Sequence, residues 1–237
     1  MSDNTKFWAY NENYQPNCID DLALYPSLKN RLNKYVDTQH FPNLMLYGEA
    51  GTGKTSAAVI IANSVKGSQV DIFDFGMDSS IENIRRLISM TERYSLFGGR
   101  VFVCDEFHDV AEPTQKLIKK TIEKSNSSNR FIFCVNDVQK IHPPIYTRCT
   151  PLQFDYCQLD ILGEPNVLPH TGWDAIQDWK DELIRVSGIM AIKAGKTITP
   201  EQYERTFANT NRWVNVRSFI LALEEVITDD EYAASKS

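Results

Sequence analysis

Gly48-Glu49-Ala50-Gly51-Thr52-Gly53-Lys54-Thr55 follows the apolar run Leu44-Met45-Leu46-Tyr47 and leads into Ser56-Ala57-Ala58-Val59-Ile60-Ile61-Ala62. The spacing is G-x4-G-K-[ST], set between a predicted buried strand and a predicted helix, the context that a phosphate-binding loop requires. Glycines let the backbone curl around an anion, so that N–H groups and the following helix N-terminus point at phosphate. The expected phosphate contacts are Gly48, Glu49, Ala50, Gly51, Thr52, Gly53, Lys54, Thr55 and Ser56. Lys54 would reach β- and γ-phosphates, and the Thr55 hydroxyl would hold Mg²⁺. The loop by itself does not say what the nucleotide is used for.

On either side, short apolar runs alternate with helical patterns. Pro26 suits the first turn of a helix whose apolar positions are Leu28, Leu32, Tyr35 and Val36. Val70 to Phe75 alternates like a strand, and Ser79-Ser80-Ile81-Glu82 offers a capping box before the stripe Ile81, Ile84, Leu87 and Ile88. Val101-Phe102-Val103-Cys104 predicts a buried strand ending in Asp105-Glu106, and Phe131 to Val135 predicts another ending at Asn136. A helix is expected from about Thr114 to Lys124, a short turn or helix from Lys140 to Tyr146, and a last strand from Thr150 to Phe154. Such alternation predicts a five-stranded parallel sheet with helices on both faces. Ligands in these sheets bind at the carboxyl ends of the strands, where Gly48, Asp105 and Asn136 all fall.

That placement gives Asp105 and Glu106 a chemical reading. Asp105 would complete the Mg²⁺ shell with Thr55, and Glu106 would polarise an attacking water. Two solvated acids at a strand end are the plain alternative, which the position about 50 residues after the loop disfavours. Asn136 could orient water or the γ-phosphate, or simply favour a turn. His108 reads as a polar loop residue. Arg148 reads either as a surface arginine or as a charge placed on a transition-state phosphate. Arg217, at the start of the last predicted helix, is either solvated or a second phosphate sensor. Arg85 and Arg86 on one helix, and Lys116, Lys119 and Lys120 on another, read as solvated faces or as a track for a phosphate backbone. Lys116 and Lys120 share a face directed away from Leu117, Ile118 and Ile122.

Beyond Cys157 the character changes. The stretch to Gly172, with Gly163, Pro165 and Pro169, reads as a linker, and only helices are expected after it. These run from Trp173 to about Ala194, from a capping box at Thr199-Pro200-Glu201-Gln202, and from near Asn215 to about Ile227, with a frayed tail from Asp229. The expected division is an α/β nucleotide-binding domain over 1–156 and a three-helix lid over 157–237. The 237 residues carry a net charge of −6, which argues against coating nucleic acid by bulk electrostatics but not against a local basic face. No apolar run approaches the roughly 20 residues of a membrane span, and no signal-peptide core is present, so a cytoplasmic, intracellular protein is expected. Five cysteines show no CxxC pair, and neither a disulfide nor structural zinc is predicted.

Taken together, these stretches resemble the AAA+ ATPases of the clamp-loader group, the small subunits of replication factor C and their phage counterparts. The resemblance runs from about Tyr14 to Ile227. Tyr14-Gln15-Pro16, followed by Ile19-Asp20-Asp21-Leu22, is similar to the family's Tyr-Arg-Pro entry motif, which implies that Tyr14 and Pro16 border the nucleotide. Phe41 to Gly48 matches the approach to the phosphate loop, and Asp105-Glu106-Phe107-His108 stands where the family has Asp-Glu-Ala-Asp or a phage variant. Gln115 to Glu123 is similar to the family's Gln-x-x-Leu-Arg-Arg-x-Met-Glu helix. Asn136 through Thr147-Arg148-Cys149 resembles a sensor asparagine, a Lys-Ile-x-x-Pro-Ile segment and a Ser-Arg-Cys motif. The resemblance therefore implies that Arg148 is an arginine finger acting on a neighbour's ATP, and that Arg217 is the lid's sensor arginine.

Three departures stand out. Gln15 replaces an arginine, Glu49-Ala50 replaces two prolines, and the family's third helical collar domain is expected to be absent. What the resemblance implies is ATP with Mg²⁺, AAA+ partner subunits in a pentameric spiral, a sliding clamp and primer–template DNA, in the infected host cell if the chain is viral. Rival readings are a helicase loader or branch-migration motor, a non-catalytic ATP-binding subunit that bridges partners, and a small-molecule kinase. The last would not account for Thr147-Arg148-Cys149.

Overall fold

The computed structural model describes residues 15–92, 99–124, 129–159, 165–172, 176–209 and 215–236. Chain contacts divide the protein into two units: residues 30–49 with 54–154, and residues 1–29 with 50–53 and 155–237. Helix α1 (Pro26–Thr38) begins in the second of these and continues into the first.

The first unit holds β1 (Leu44–Tyr47), α2 (Lys54–Ser64), β2 (Gln69–Asp74), α3 (Ile81–Thr91), β3 (Arg100–Asp105), α4 (Glu112–Lys124), β4 (Asn129–Val135), α5 (Pro143–Tyr146) and β5 (Thr150–Gln153). All five strands are parallel, in the order β2-β3-β4-β1-β5. Residues of β3 from Val101 to Cys104 are buried without alternation, as expected of a strand covered on both faces. One face carries Met45, Phe73, Phe102, Phe131 and Phe133 into a core closed by Ile84 and Leu87 of α3 and Ile118 and Ile122 of α4. By the two-residue pleat, Leu44, Leu46, Val103 and Ile132 lie on the opposite face, where α2 packs with Ala57, Ala58 and Ile61 buried. Strand β2 is at the sheet's edge, which is why its Ile72 remains exposed.

Several local expectations shift. The cap of α3 is Ser80, whose side chain accepts the Asn83 N–H, so Ser79 and Glu82 do not form the predicted box. In α4 the buried polar residue is Gln115, while Leu117 is exposed. Gln115 takes the core position because its amide donates to the carbonyls of Val110 and Lys140 and accepts the His142 N–H, leaving no polar atom stranded.

The second unit contains the turn Ile19–Asp21, the hairpin β6 (Cys157–Leu159) and β7 (Pro165–Val167), and the helices α6 (Ile176–Lys193), α7 (Pro200–Asn209) and α8 (Val216–Ala234). The stretch read as a linker thus contains an antiparallel pair, with β7 packed against α6. Trp173, the expected start of α6, lies outside the described residues. The capping box of α7 forms as predicted: Thr199 N–H donates to Gln202 Oε1 at 2.9 Å, and Gln202 N–H to Thr199 Oγ1 at 3.3 Å. Helix α8 continues to Ala234 instead of fraying after Ile227. Its acidic end is held by α7 and the turn before it, with Asp230 accepting from Arg205 and Gln202 and Glu231 paired with Lys196. Trp179, Leu183, Val186, Phe219, Ile220 and Leu223 of the helices are buried, as are Leu22 and Leu24. Glu182 accepts from Lys29 at 2.7 Å and from Arg185 at 2.8 Å, and Arg185 also reaches the Leu22 carbonyl. Among the described residues, no helix is long and apolar enough to cross a membrane.

Candidate nucleotide site

In the sheet order, β4 separates β3 from β1, so the carboxyl ends of these three strands lie side by side. The residues that follow them are Gly48, Glu106 and Asn136, far apart in the chain and adjacent at one sheet edge.

After β1 the backbone enters conformations that side chains disfavour. Gly51 has φ 80° and Gly53 has φ 91°, both in the left-handed region. A Cβ on Gly51 would stand 2.9 Å from Asn215 Oδ1 and 3.0 Å from Arg217 Cβ, so the loop excludes one for space as well as for torsion. Lys54, the first residue of α2, is 5% exposed, and its ammonium donates to the carbonyls of Gly48 at 2.8 Å and Glu49 at 2.6 Å. Thr55 follows in the same turn and donates its hydroxyl to Asp105 Oδ2 at 2.9 Å and Oδ1 at 3.0 Å. Ser56 is half-buried in that turn, while Glu49 and Ala50 are exposed at the loop's tip.

Asp105 ends β3. Burial raises its carboxyl above the usual range, partly offset by the bonds from Thr55 and from the Glu106 N–H. Glu106 is raised too, first by burial and then by the neighbouring Asp105 charge. Two carboxyls held this close favour a nearby cation. Glu106 is also one of the two non-glycine residues with positive φ among those described, at 48°, a conformation costing about 1 kcal/mol. The strain is held by the turn Phe107–Asp109, whose Phe107 is buried against Phe133 and Phe75.

Asn136 donates its side-chain amide to Glu106 Oε2 at 3.0 Å, and its Oδ1 is buried with no hydrogen-bond partner among the described residues. His108 joins the same group. Its Nε2 lies 3.3 Å from Glu106 Oε2, and its Nδ1 accepts the Asn136 N–H at 3.4 Å. The sequence gives His108 as a polar loop residue and not an acid–base group; its contacts depend on β3 and β4 being neighbours, which chain order does not show.

The remaining candidates make other contacts. Arg148, in the turn between α5 and β5, is ion-paired with Glu123 of its own chain and donates to the Pro144 carbonyl at 2.6 Å. Arg217 is in the first turn of α8, behind the cap Asn215, and its N–H donates to the Gly51 carbonyl at 3.4 Å within the unit that holds both. Pro16 is half-buried, and Tyr14 lies outside the described residues. Of the basic residues, Arg86 stacks over the Phe73 ring at 4.9 Å, Arg85 lies 3.6 Å from Glu82, and Lys116 pairs with Glu112 at 3.1 Å. Lys120 is exposed and Lys119 half-buried.

The residues present fit a magnesium nucleotide. A buried ammonium beside a glycine loop suits phosphate, and a hydroxyl and carboxylate sharing one hydrogen bond are hard oxygen donors suited to Mg²⁺. Asn136 Oδ1, buried with no hydrogen-bond partner among the described residues, is an acceptor suited to a donor from a water or ligand.

Known proteins resemble the chain in sequence and in fold. Residues 44–154 match the family described as ATPases associated with various cellular activities (AAA). The replication factor C small subunit of Halobacterium salinarum is 33% identical over 166 residues, covering 67% of this chain and 50% of that protein. The small subunit of Natronomonas pharaonis is 27% identical over 244 residues, covering 95% and 74% respectively. Human replication factor C subunit 5 is 29% identical over 151 residues, covering 60% and 44%. The chain thus spans about half the length of the Halobacterium relative. Among solved structures, the RuvB Holliday junction branch migration motor of Thermotoga maritima shares the fold, with TM-score 0.53 and 15% identity over 91% of this chain and 73% of that one.

Proposed function

Because residues 44–154 match the AAA family and replication factor C small subunits are among its relatives, we propose that the chain is an AAA+ ATPase and an ATP-hydrolysing subunit of a sliding-clamp loader. Residues 1–156 act as its nucleotide-binding domain and 157–237 as a helical lid. The observation that carries this reading is the convergence of Lys54, the Thr55–Asp105 pair and the Glu106–Asn136 pair at adjoining strand ends.

The roles follow from the chemistry of each group. Lys54 and the loop N–H groups bind the β- and γ-phosphates of ATP. Thr55 and Asp105 hold Mg²⁺, which supplies charge neutralisation at the phosphate oxygens. Glu106 orients a water and takes its proton as the bond from γ-phosphorus to the bridging oxygen breaks, giving ADP and phosphate. The otherwise unpartnered Oδ1 of Asn136 is available to orient that water. Arg148 acts on the ATP of a neighbouring subunit, and Arg217 senses the phosphates from the lid. AAA+ partners in a spiral, a sliding clamp and primer–template DNA complete the assembly, with α3 and α4 facing the DNA backbone.

ATPase rates measured with primer–template DNA and a sliding clamp, against single-stranded and junction DNA, test the reading. Stimulation by primer–template with clamp is expected. Stimulation by junction or single-stranded DNA alone would assign the chain to another DNA-remodelling ATPase, and absence of turnover in every case would make it a bridging subunit.

A further inference from the structure

His108 is tied to Glu106 at one ring nitrogen and to the backbone of Asn136 at the other. Its side chain is 9% exposed, so this geometry is enclosed and not a surface encounter. Because Nδ1 accepts the Asn136 N–H, the neutral ring carries its proton on Nε2, the nitrogen that lies 3.3 Å from Glu106 Oε2. Asp109 Oδ1, at 3.8 Å from the same nitrogen, is too distant to compete as a hydrogen bond. Asn136 Nδ2 donates to that Oε2 at 3.0 Å. Two nitrogens, one from the turn after β3 and one from the end of β4, therefore stand against a single carboxylate oxygen, the amide as a hydrogen-bond donor and the ring at 3.3 Å. Oε1 receives no hydrogen bond among the described residues.

We propose that His108 is a positioning residue for hydrolysis, pinning Glu106 Oε2 so that Oε1 is presented to the attacking water. The inference rests on the reading of Glu106 as the water-activating group. A glutamate has three side-chain torsions, and a half-exposed one samples several rotamers unless it is held. Asn136 supplies one restraint and His108 a second from a different element, which together fix direction as well as place. Phe107, buried between them in sequence, anchors the turn that aims the ring.

Three substitutions separate positioning from folding, assayed in the assembled full-length ATPase at saturating ATP. Asn at 108 can place an oxygen near the Nδ1 position but cannot reach Glu106. Gln can place an N–H near the Nε2 position. His108→Ala and His108→Asn are expected to lower kcat about tenfold with KM within about twofold, and His108→Gln to stay within about threefold of the unmodified protein. The proposal is overturned if His108→Ala keeps full kcat, if Gln fails as badly as Asn, or if all three losses follow a fall in melting temperature. Glu106→Gln, run in parallel, is a separate control. If it still turns over, the water-activating assignment itself is wrong, whatever His108 does.

Discussion

The Thr55 hydroxyl donates to the Asp105 carboxylate at 2.9 Å, joining the first turn of α2 to the end of β3 across 50 residues of chain. The bond sets two oxygens beside a lysine whose ammonium is already turned into the loop. For the nucleotide-binding function proposed, an arrangement held by the fold in this way lowers the ordering cost of binding.

Lys54→Ala removes the buried ammonium at the centre of this arrangement. Charge-assisted bonds to phosphate contribute enough that nucleotide affinity should fall by about 100-fold or more. Equilibrium binding of a fluorescent ATP analogue checks this, with circular dichroism to show that the fold persists.

Arg148→Ala should leave nucleotide binding intact and cut hydrolysis about 1,000-fold at sites that need a neighbour's arginine. Mixing Arg148→Ala subunits with Lys54→Ala subunits restores complete interfaces by pairing an intact loop with an intact arginine. Recovery of turnover on mixing is the expected result. Failure to recover at any ratio would mean that Arg148 does not act in trans. Its ion pair with Glu123 must then be read as a structural contact.

Gly51→Ala should destabilise the protein by about 1–2 kcal/mol from the left-handed backbone alone. The added carbon would also press on Asn215 Oδ1, the oxygen that caps α8 by accepting the Ser218 N–H at 2.8 Å. Loss of that cap costs about 1 kcal/mol more. Thermal unfolding should show a drop of at least about 4 °C.

Glu182 offers a pH test. Burial alone would raise its carboxyl, but bonds from Arg185 and Lys29 outweigh burial and hold it below the usual range. A depressed carboxylate stabilises the fold above its unfolded pKa, and that stability is lost as pH falls through the folded value. Glu182→Gln should therefore cost about 1–2 kcal/mol at neutral pH, and the difference from the unmodified protein should shrink on acidification below the ordinary carboxylate range. A deficit that stays constant with pH would mean that packing and not charge is responsible.

The parts of the fold that were readable in advance are those with local causes. Pro26 starts α1, and Thr199 with Gln202 caps α7, because each acts within one turn of the residues it affects. The hairpin β6–β7 was not readable, since Pro165 and Gly163 signal a break and the pair is held by packing on α6. The end of α8 departs from the frayed tail that its sequence predicts for a similar reason. Asp229-Asp230-Glu231 looks like a solvated tail until Arg205, Gln202 and Lys196 are found beside it.

For the candidate site, the amino-acid order alone determined the phosphate loop and the Asp-Glu strand end, because each is a contiguous pattern whose chemistry follows from spacing. Tertiary structure decided how those pieces meet. Placing β4 between β3 and β1 brings Asn136 and His108 onto one oxygen of Glu106. Strand neighbours are set by which faces bury together, a property of the whole sheet that no window of the chain contains.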